Sequence, residues 1–257
     1  MIINDWDYRP EPIFCYMAQG GVIHSKTNTP KIIFEGVELE IDGMRDAESL
    51  AYDLGNISGS ELFYLKHDGS LNYGFEVVSH PCSLDFHLNK FPWKEICDTA
   101  ISHGGRSHDA GTCGLHVHVN NSYLGNSYVG VHLSRFKLLA LFDKFWSEIT
   151  TLSRRRYLGY CEKNGTARTM SDIEVEKDKG RRFAINMCNG NTTEIRIWRG
   201  TLKLSTLLAT LEITARLCEF VKTHNLPQCR AITWDELKKF LTHKTKYVAK
   251  YISERSL

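Results

Sequence analysis

Ionisable side chains recur at every second position in three stretches of the sequence. The rows are Glu38, Glu40 and Asp42; His116 and His118; and Glu194 and Arg196, which Trp198 follows at the same spacing. In a β-strand this spacing places side chains on one face, about 6.6 to 7 Å apart. Carboxylate oxygens suit hard cations such as Mg²⁺, which also bridge to phosphate, whereas zinc prefers more nitrogen or sulfur. If these strands are neighbours in one sheet, the rows predict a shared metal and phosphate site.

The alternate positions of the same stretches are apolar. They are Val37, Leu39 and Ile41; Leu115, Val117 and Val119; and Ile195 and Ile197. Because an apolar sheet face packs on the core, the charged face must meet water or a ligand. Asp68 lies at the end of one further strand candidate and Glu76 lies within another. The ordinary alternatives are a solvated carboxylate face, a satisfied histidine pair and a cross-strand ion pair.

The elements that carry these rows are strands and helices of the α+β kind, with mainly antiparallel pairing expected. Asp46 offers an N-cap, Asn189-Gly190 a hairpin turn, and Thr233 with Glu236 a capping box. Strands are predicted at 32–42, 61–71, 72–81, 115–121 and on both sides of Asn189, and helices at 47–57, 91–104, 134–154, 205–224 and 233–243. Residues 1–30 lack a sustained period and are predicted to form an N-terminal arm.

Composition excludes several classes of protein. Lysine and arginine total 32 against 30 acidic residues, and the basic residues are scattered, so no nucleic-acid partner is predicted. No run of about 18 apolar residues occurs, so no membrane span is predicted. The eight cysteines include no CxxC pair and are interpreted as reduced thiols, which favours a cytoplasmic protein.

Five motifs together resemble the amidoligase family of carboxylate-amine ligases, in a superfamily with glutamine synthetase and the glutamate-cysteine ligases. They are GVELEID (36–42), KHDGSL (66–71), FEVVSHP (75–81), CGLHVHVN (113–120) and RRFAIN...NTTEIRIWRGT (181–201). CGLHVHV and EIRIWRGT are the most specific of these, and DGSL is weak by itself. The resemblance covers residues 30 to 222.

The resemblance implies a curved, mainly antiparallel sheet of the glutamine-synthetase catalytic type, with helices packed on its convex face. Residues 31–257 would form a single catalytic domain whose concave face holds ATP and Mg²⁺, with Mn²⁺ as an alternative ion. The implied reaction joins a carboxylate to an amine through an acyl phosphate and releases ADP. Its substrates would be small-molecule, peptide or protein carboxylates and amines, and the oligomeric state stays open.

Residue roles carry over from the resemblance position by position. The implied metal ligands are Glu38, Glu40, His118 and Glu194; the nucleotide-binding residues are His116, Arg182, Asn186 and Lys66; and the residues at the chemistry are Arg196, Arg199, Glu76 and Asp68. Glu76 would hold either metal or the amine, and Asp68 either the incoming ammonium or only a turn. The arginines at 154–156 follow a long helix, where cations suit the helix dipole, and phosphate contact is the alternative.

Two other functions remain open at this stage. The HVHV strand could hold zinc or a pair of metal ions in a metal-dependent hydrolase, although the carboxylates and Arg196 then lack a role. A non-catalytic virion, scaffold or interaction protein could also retain the sheet.

Overall fold

The computed structural model describes residues 1–24, 31–155, 158–166, 169, 171–173, 180–255 and 257. These residues divide between two units. The first unit contains residues 1–24, 34–117 and 199–208, and the second contains the remaining described residues. Among the described helices, none is long and apolar enough to cross a membrane.

Seven strands lie wholly in the first unit. They are β1 (Ile3–Asn4), β2 (Phe14–Tyr16), β3 (Val22–His24), β4 (Phe34–Ile41), β5 (Phe63–Lys66), β6 (Phe75–Ser79) and β7 (Cys82–Ser83). Their order in the sheet is β1-β5-β6-β4-β7-β2-β3. The β4–β6, β5–β6, β4–β7 and β2–β3 pairs are antiparallel, and β1–β5 and β2–β7 are parallel. Strand β8 (Leu115–Asn120) also pairs with β4, and its first three residues belong to this unit.

Alternation along β4 separates a buried apolar face from a polar one. Val37, Leu39 and Ile41 are fully buried, as the period of two requires of a strand on a core. The polar face therefore carries Glu38 and Glu40. The antiparallel register places Glu40 opposite Glu76 on β6, a pairing that alternation alone could not specify.

The first unit's helices pack beside this sheet. They are α1 (Ala47–Asn56), α2 (Leu84–Asn89) and α3 (Trp93–Ser102). The Asp46 side chain accepts a hydrogen bond from the Ser49 N–H at 3.0 Å, which confirms the predicted N-cap. His87 of α2 bonds the Glu35 carbonyl at 2.8 Å and accepts from the Trp93 indole at 3.2 Å. Burial lowers the pKa of His87 to about 4, so the imidazole is neutral at pH 7.

The second unit is mainly helical. Its helices are α4 (Asn121–Leu124), α5 (Tyr128–Lys144), α6 (Trp146–Ser153), α8 (Leu226–Ala231), α9 (Trp234–Thr242) and α10 (Val248–Ser253), together with most of α7 (Leu204–Thr223). Strand β9 (Ile185–Asn186) pairs antiparallel with β10 (Thr192–Ile195), across the predicted Asn189-Gly190 turn. Strand β10 also pairs with β8. Separate helices and mainly antiparallel strands confirm the α+β class.

One predicted helix differs from the structure. The apolar pattern at 134–154 predicts a single helix, but the helix starts earlier, at Tyr128, and breaks at Phe145, where φ is −110° and ψ is 32°. The Phe145 ring is buried against Trp234, with 5.5 Å between ring centroids. The break thus falls at a buried residue that packs on a distant helix, a contact that helical periodicity does not report.

Candidate functional site

The first unit gathers five of the predicted site residues on neighbouring strands. This group, here named the first-unit cluster, consists of Glu38, Glu40, Lys66, Glu76 and His116. The register aligns Glu40 with Glu76, and Glu76 in turn with Lys66 on β5. His116 lies on β8, which borders β4 on its other side. The cluster therefore crosses four strands as one polar row.

His116 joins the two carboxylates of β4. Its Nδ1 lies 3.2 Å from Glu38 Oε2, within hydrogen-bond distance, and its Nε2 lies 3.6 Å from Glu40 Oε1. The Gly114 N–H donates to the other oxygen of Glu40. Glu40 and His116 are both buried and Glu38 is half-buried, so solvent screens these charges only weakly.

Glu76 forms a buried ion pair with Lys66. Lys66 Nζ lies 2.9 Å from Glu76 Oε1, and both side chains are about 5% exposed. Burial, and after it the Glu38 carboxylate, raises the pKa of Glu76 despite the opposing charge of Lys66. The first-unit cluster thus holds three carboxylates around one lysine and one histidine, an arrangement that favours an added cation.

Two acidic residues of the sequence prediction are engaged in turns. Asp42 accepts hydrogen bonds from the backbone N–H groups of Gly43, Asn72 and Tyr73 and from the Thr112 hydroxyl, at 2.7–3.1 Å. Burial opposes ionisation of Asp42, but these hydrogen bonds outweigh it and lower the pKa of the carboxyl. Asp68 accepts from the Ser70 N–H at 2.7 Å and from the Ser70 hydroxyl. These contacts of Asp68 are those of a turn residue, which is one of the two alternatives that the sequence left open for it.

The second unit gathers another group, here named the second-unit cluster, of His118, Asn186, Glu194 and Arg196. Arg196 Nη1 forms an ion pair with Glu194 Oε1, and Asn186 Nδ2 donates to Glu194 Oε2 at 2.6 Å. His118 Nε2 lies 3.8 Å from Glu194 Oε1. Each oxygen of the single carboxylate already accepts a donor from its own unit.

Two further arginines fix the backbone of this cluster: Arg135, which the sequence prediction did not include, and Arg155, from the predicted run at 154–156. Arg135 of α5 is buried and donates to the Thr193 hydroxyl at 2.9 Å and to the Thr192 carbonyl at 3.2 Å. Arg155 donates to the Ile197 carbonyl at 3.3 Å. Nothing in the sequence distinguishes Arg135 from the polar residues of an ordinary amphipathic helix, because its role depends on which strand packs against α5.

The remaining predicted arginines lie elsewhere. Arg199 belongs to the first unit, where it pairs with Gly114 in an antiparallel bridge. Arg182 is exposed, and its carbonyl accepts from the Glu162 N–H at 2.7 Å. Arg154 donates to the Tyr251 hydroxyl at 3.2 Å, and Arg156 lies outside the described residues.

By the chemistry of its donors the first-unit cluster suits a divalent cation, whereas in the second-unit cluster the oxygens of Glu194 already accept donors from Arg196 and Asn186. The 3.6 Å between His116 Nε2 and Glu40 Oε1, and the 3.8 Å between His118 Nε2 and Glu194 Oε1, are too long for hydrogen bonds. They match the distance between two ligand atoms that each lie about 2.0–2.2 Å from the same ion. The first-unit cluster fits better, because it offers more carboxylate oxygens per positive charge.

Comparisons with known proteins give matches among solved structures. No family model and no curated protein matches the chain. The chain is similar to a protein described as a novel glutamine synthase homolog (15% identity, TM-score 0.41, 88% of this chain and 66% of that one). It is also similar to GmaS without ligand (12%, 0.46, 88% and 68%) and to the ligase PafA in complex with the ubiquitin-like protein Pup (11%, 0.44, 88% and 58%).

Identities of 11–15% with TM-scores of 0.41–0.46 do not establish a shared function. The chain spans 58% to 68% of the length of the three structures.

Proposed function

We propose that the protein is an ATP- and Mg²⁺-dependent carboxylate-amine ligase. The observation that carries this proposal is the concentration of carboxylates in the first-unit cluster, where Glu40 stands directly opposite Glu76 with Glu38 beside them. Lys66 pairs with Glu76 and His116 lies beside the other two, so these residues gather several carboxylate oxygens of the kind that hard cations bind. The motif resemblance supplies the reaction class.

In the proposed reaction the γ-phosphoryl group of ATP passes to a substrate carboxylate and ADP leaves. An amine then attacks the acyl carbon, inorganic phosphate leaves, and an amide remains. Bound Mg²⁺ would supply charge neutralisation on the phosphates during transfer.

The chain's own residues hold the reactants in this scheme. Glu38 and Glu40 would hold the cation in the first unit, while His116 orients their oxygens and Lys66 pairs with Glu76 and opposes the rise in its pKa. Glu194 and His118 bind a cation in the second unit. A guanidinium carries five N–H donors, so Arg196 can bind Glu194 and a phosphoryl oxygen together.

The other assignments are part of the same proposal. His116, Arg182, Asn186 and Lys66 contact nucleotide phosphates, and Arg199 holds the acceptor carboxylate. Asp68 or Glu76 receives the amine. Lys66 would act on the nucleotide from a buried position beside Glu76, which makes it the least direct of these contacts.

ADP formation tests the proposal. Purified protein is incubated with ATP, Mg²⁺ and a mixture of amino acids, and ADP and phosphate are quantified. We expect Glu40→Gln and Glu194→Gln each to lower ADP formation by about 100-fold or more, because each removes charge stabilisation of the transferring group. Glu95→Gln, an exposed glutamate of α3, is the matched control and should retain full turnover.

Three outcomes contradict the proposal. Wild-type protein that forms no ADP with any amine or carboxylate and gains no thermal stability from Mg²⁺-ATP is not such a ligase. Full turnover in both glutamine variants removes the residues from the chemistry. Stoichiometric zinc in the purified protein supports the hydrolase alternative instead.

A further inference from the structure

A cavity of about 420 Å³ opens in the first unit beside the end of β4, outside the first-unit cluster. Its lining consists of Asp42, Gly43, Asn72, Tyr73, Arg106 and Ala110. The volume is in the range of sites that bind small molecules. Of the residues in the charged rows predicted from the sequence, Asp42 alone is among these lining residues, and the structure engages its carboxylate in turns.

Arg106 supplies the positive charge of this cavity, and its backbone is fixed. Asp42 and Arg106 exchange two backbone hydrogen bonds, of 2.8 and 2.9 Å, as an isolated antiparallel bridge. The guanidinium lies over Gly43, where an added Cβ would meet Arg106 Nε and Nη2 at 3.0 Å. Gly43 also has a φ of +74°, which favours glycine. Glycine at position 43 therefore makes room for the arginine head group.

The nearest carboxylate is engaged elsewhere. Both oxygens of Asp42 accept hydrogen bonds from the loop at 72–73, from Gly43 and from Thr112. These bonds hold the cavity wall in place. Asp42 thus forms part of the cavity wall, and its carboxylate oxygens bind the surrounding loops. Arg106 is exposed and lines the cavity with a positive charge.

The loop that carries Arg106 also contacts Glu40. The Ser107 hydroxyl donates to the Glu40 carbonyl at 2.7 Å, and the Gly114 N–H donates to the Glu40 side chain. Asp42 lies two residues after Glu40 on the same face, a distance of about 6.6 to 7 Å. A molecule of a few bonds in length would span from the cavity to the first-unit cluster.

We propose that this cavity binds a carboxylate group of the substrate through the Arg106 guanidinium. A planar guanidinium pairs with a carboxylate through two parallel N–H···O bonds, which gives both affinity and orientation. The carboxylate belongs to a free small molecule or to the C-terminus of a peptide. That the bound molecule is the ligase substrate rests on the proposed function, whereas carboxylate binding itself does not.

Binding without ATP tests the site first. The protein is titrated calorimetrically with succinate, L-alanine and trialanine, with the amide of each, and with inorganic phosphate. We expect one of the carboxylates to bind at least about 10-fold more tightly than its amide. Preference for L-alanine over trialanine identifies a free small molecule, and the reverse identifies a peptide terminus.

Variants assign that binding to Arg106. Arg106→Gln should weaken it by about 10-fold or more, Arg106→Lys should recover part of the loss, and Arg45→Gln, at an exposed arginine of the same unit, should leave it unchanged. The site is refuted if no carboxylate binds the wild type, if Arg106→Gln binds equally well, or if phosphate binds as tightly as every carboxylate.

Turnover separates this inference from the proposed function. If both hold, Arg106→Gln raises KM for the carboxylate substrate by about 10-fold or more with little change in kcat, because Arg106 binds the substrate rather than the transferring group. If a carboxylate binds but no ADP forms, the proposed ligase function is contradicted and the proposed carboxylate site is not. If ADP forms and Arg106→Gln leaves KM unchanged, the proposed carboxylate site is contradicted and the proposed ligase function is not.

Discussion

The first-unit and second-unit clusters differ in the groups that bind their buried carboxylates. Three carboxylates in the first share one lysine and one histidine, and the Glu38 charge adds to burial in raising the pKa of Glu76. The second holds one carboxylate, Glu194, which Arg196 and Asn186 both bind. The first cluster therefore concentrates three carboxyl groups, one of them with a raised pKa, whereas the second holds one carboxylate that an arginine and an amide bind.

This difference gives the clusters different roles. Glu40 and Glu76 stand opposite one another on adjacent strands, where Lys66 offsets part of their repulsion and a bound cation would offset more of it. The second-unit cluster instead fixes the orientation of an arginine by tying it to a buried carboxylate. We therefore expect the first cluster to depend more strongly on added cations and the second to depend more on its arginine.

Removal of Lys66 should have the largest effect on stability. Lys66→Met leaves Glu76 buried beside Glu38 with no compensating ammonium, and breaking a buried pair in this way costs about 3–5 kcal/mol. Urea unfolding measures the loss. Lys66→Met combined with Glu76→Gln should recover most of it, because the double variant leaves no unpaired charge. If the single and double variants are equally unstable, packing of the lysine stem, and not the ion pair, accounts for the loss.

Removal of Arg196 should cost less. Arg196→Met leaves Glu194 with the Asn186 hydrogen bond, and losing a charged hydrogen bond while another donor remains costs about 2 kcal/mol. The same urea titration, with Arg196→Lys as the charge-conserving control, measures this loss. An effect equal to that of Lys66→Met would remove the proposed distinction between the two clusters.

Strand alternation predicted which face of β4 and β8 carries the charged residues, and the Asn189-Gly190 turn predicted the hairpin that aligns Glu194 with Asn186. These are local properties of the chain. The opposition of Glu40 and Glu76 depends on the register between strands 36 residues apart, since residue 40 pairs with residue 76, and a local pattern does not specify it.

The sequence patterns do not predict the roles of residues that depend on contacts between distant parts of the chain. Arg106 lies in a glycine-rich loop that reads as a turn, and its position over Gly43 exists only after that loop pairs with Asp42. Arg135 and Phe145 behave alike, because each depends on packing against a distant strand or helix. The division into an arm at 1–30 and one catalytic domain at 31–257 stays a prediction.

The most direct test of the account is Mg²⁺ binding by the first-unit cluster. Unfolding midpoints are measured against Mg²⁺ concentration for the wild type, Glu40→Gln, Glu194→Gln and the control Glu95→Gln. Ligand at about 100 times its Kd stabilises a folded protein by about 2.7 kcal/mol. The account predicts such a rise in the wild type and in Glu95→Gln, its loss in Glu40→Gln and a smaller reduction in Glu194→Gln. A wild type that Mg²⁺ leaves unchanged, or a Glu40→Gln variant that keeps the full rise, would contradict it.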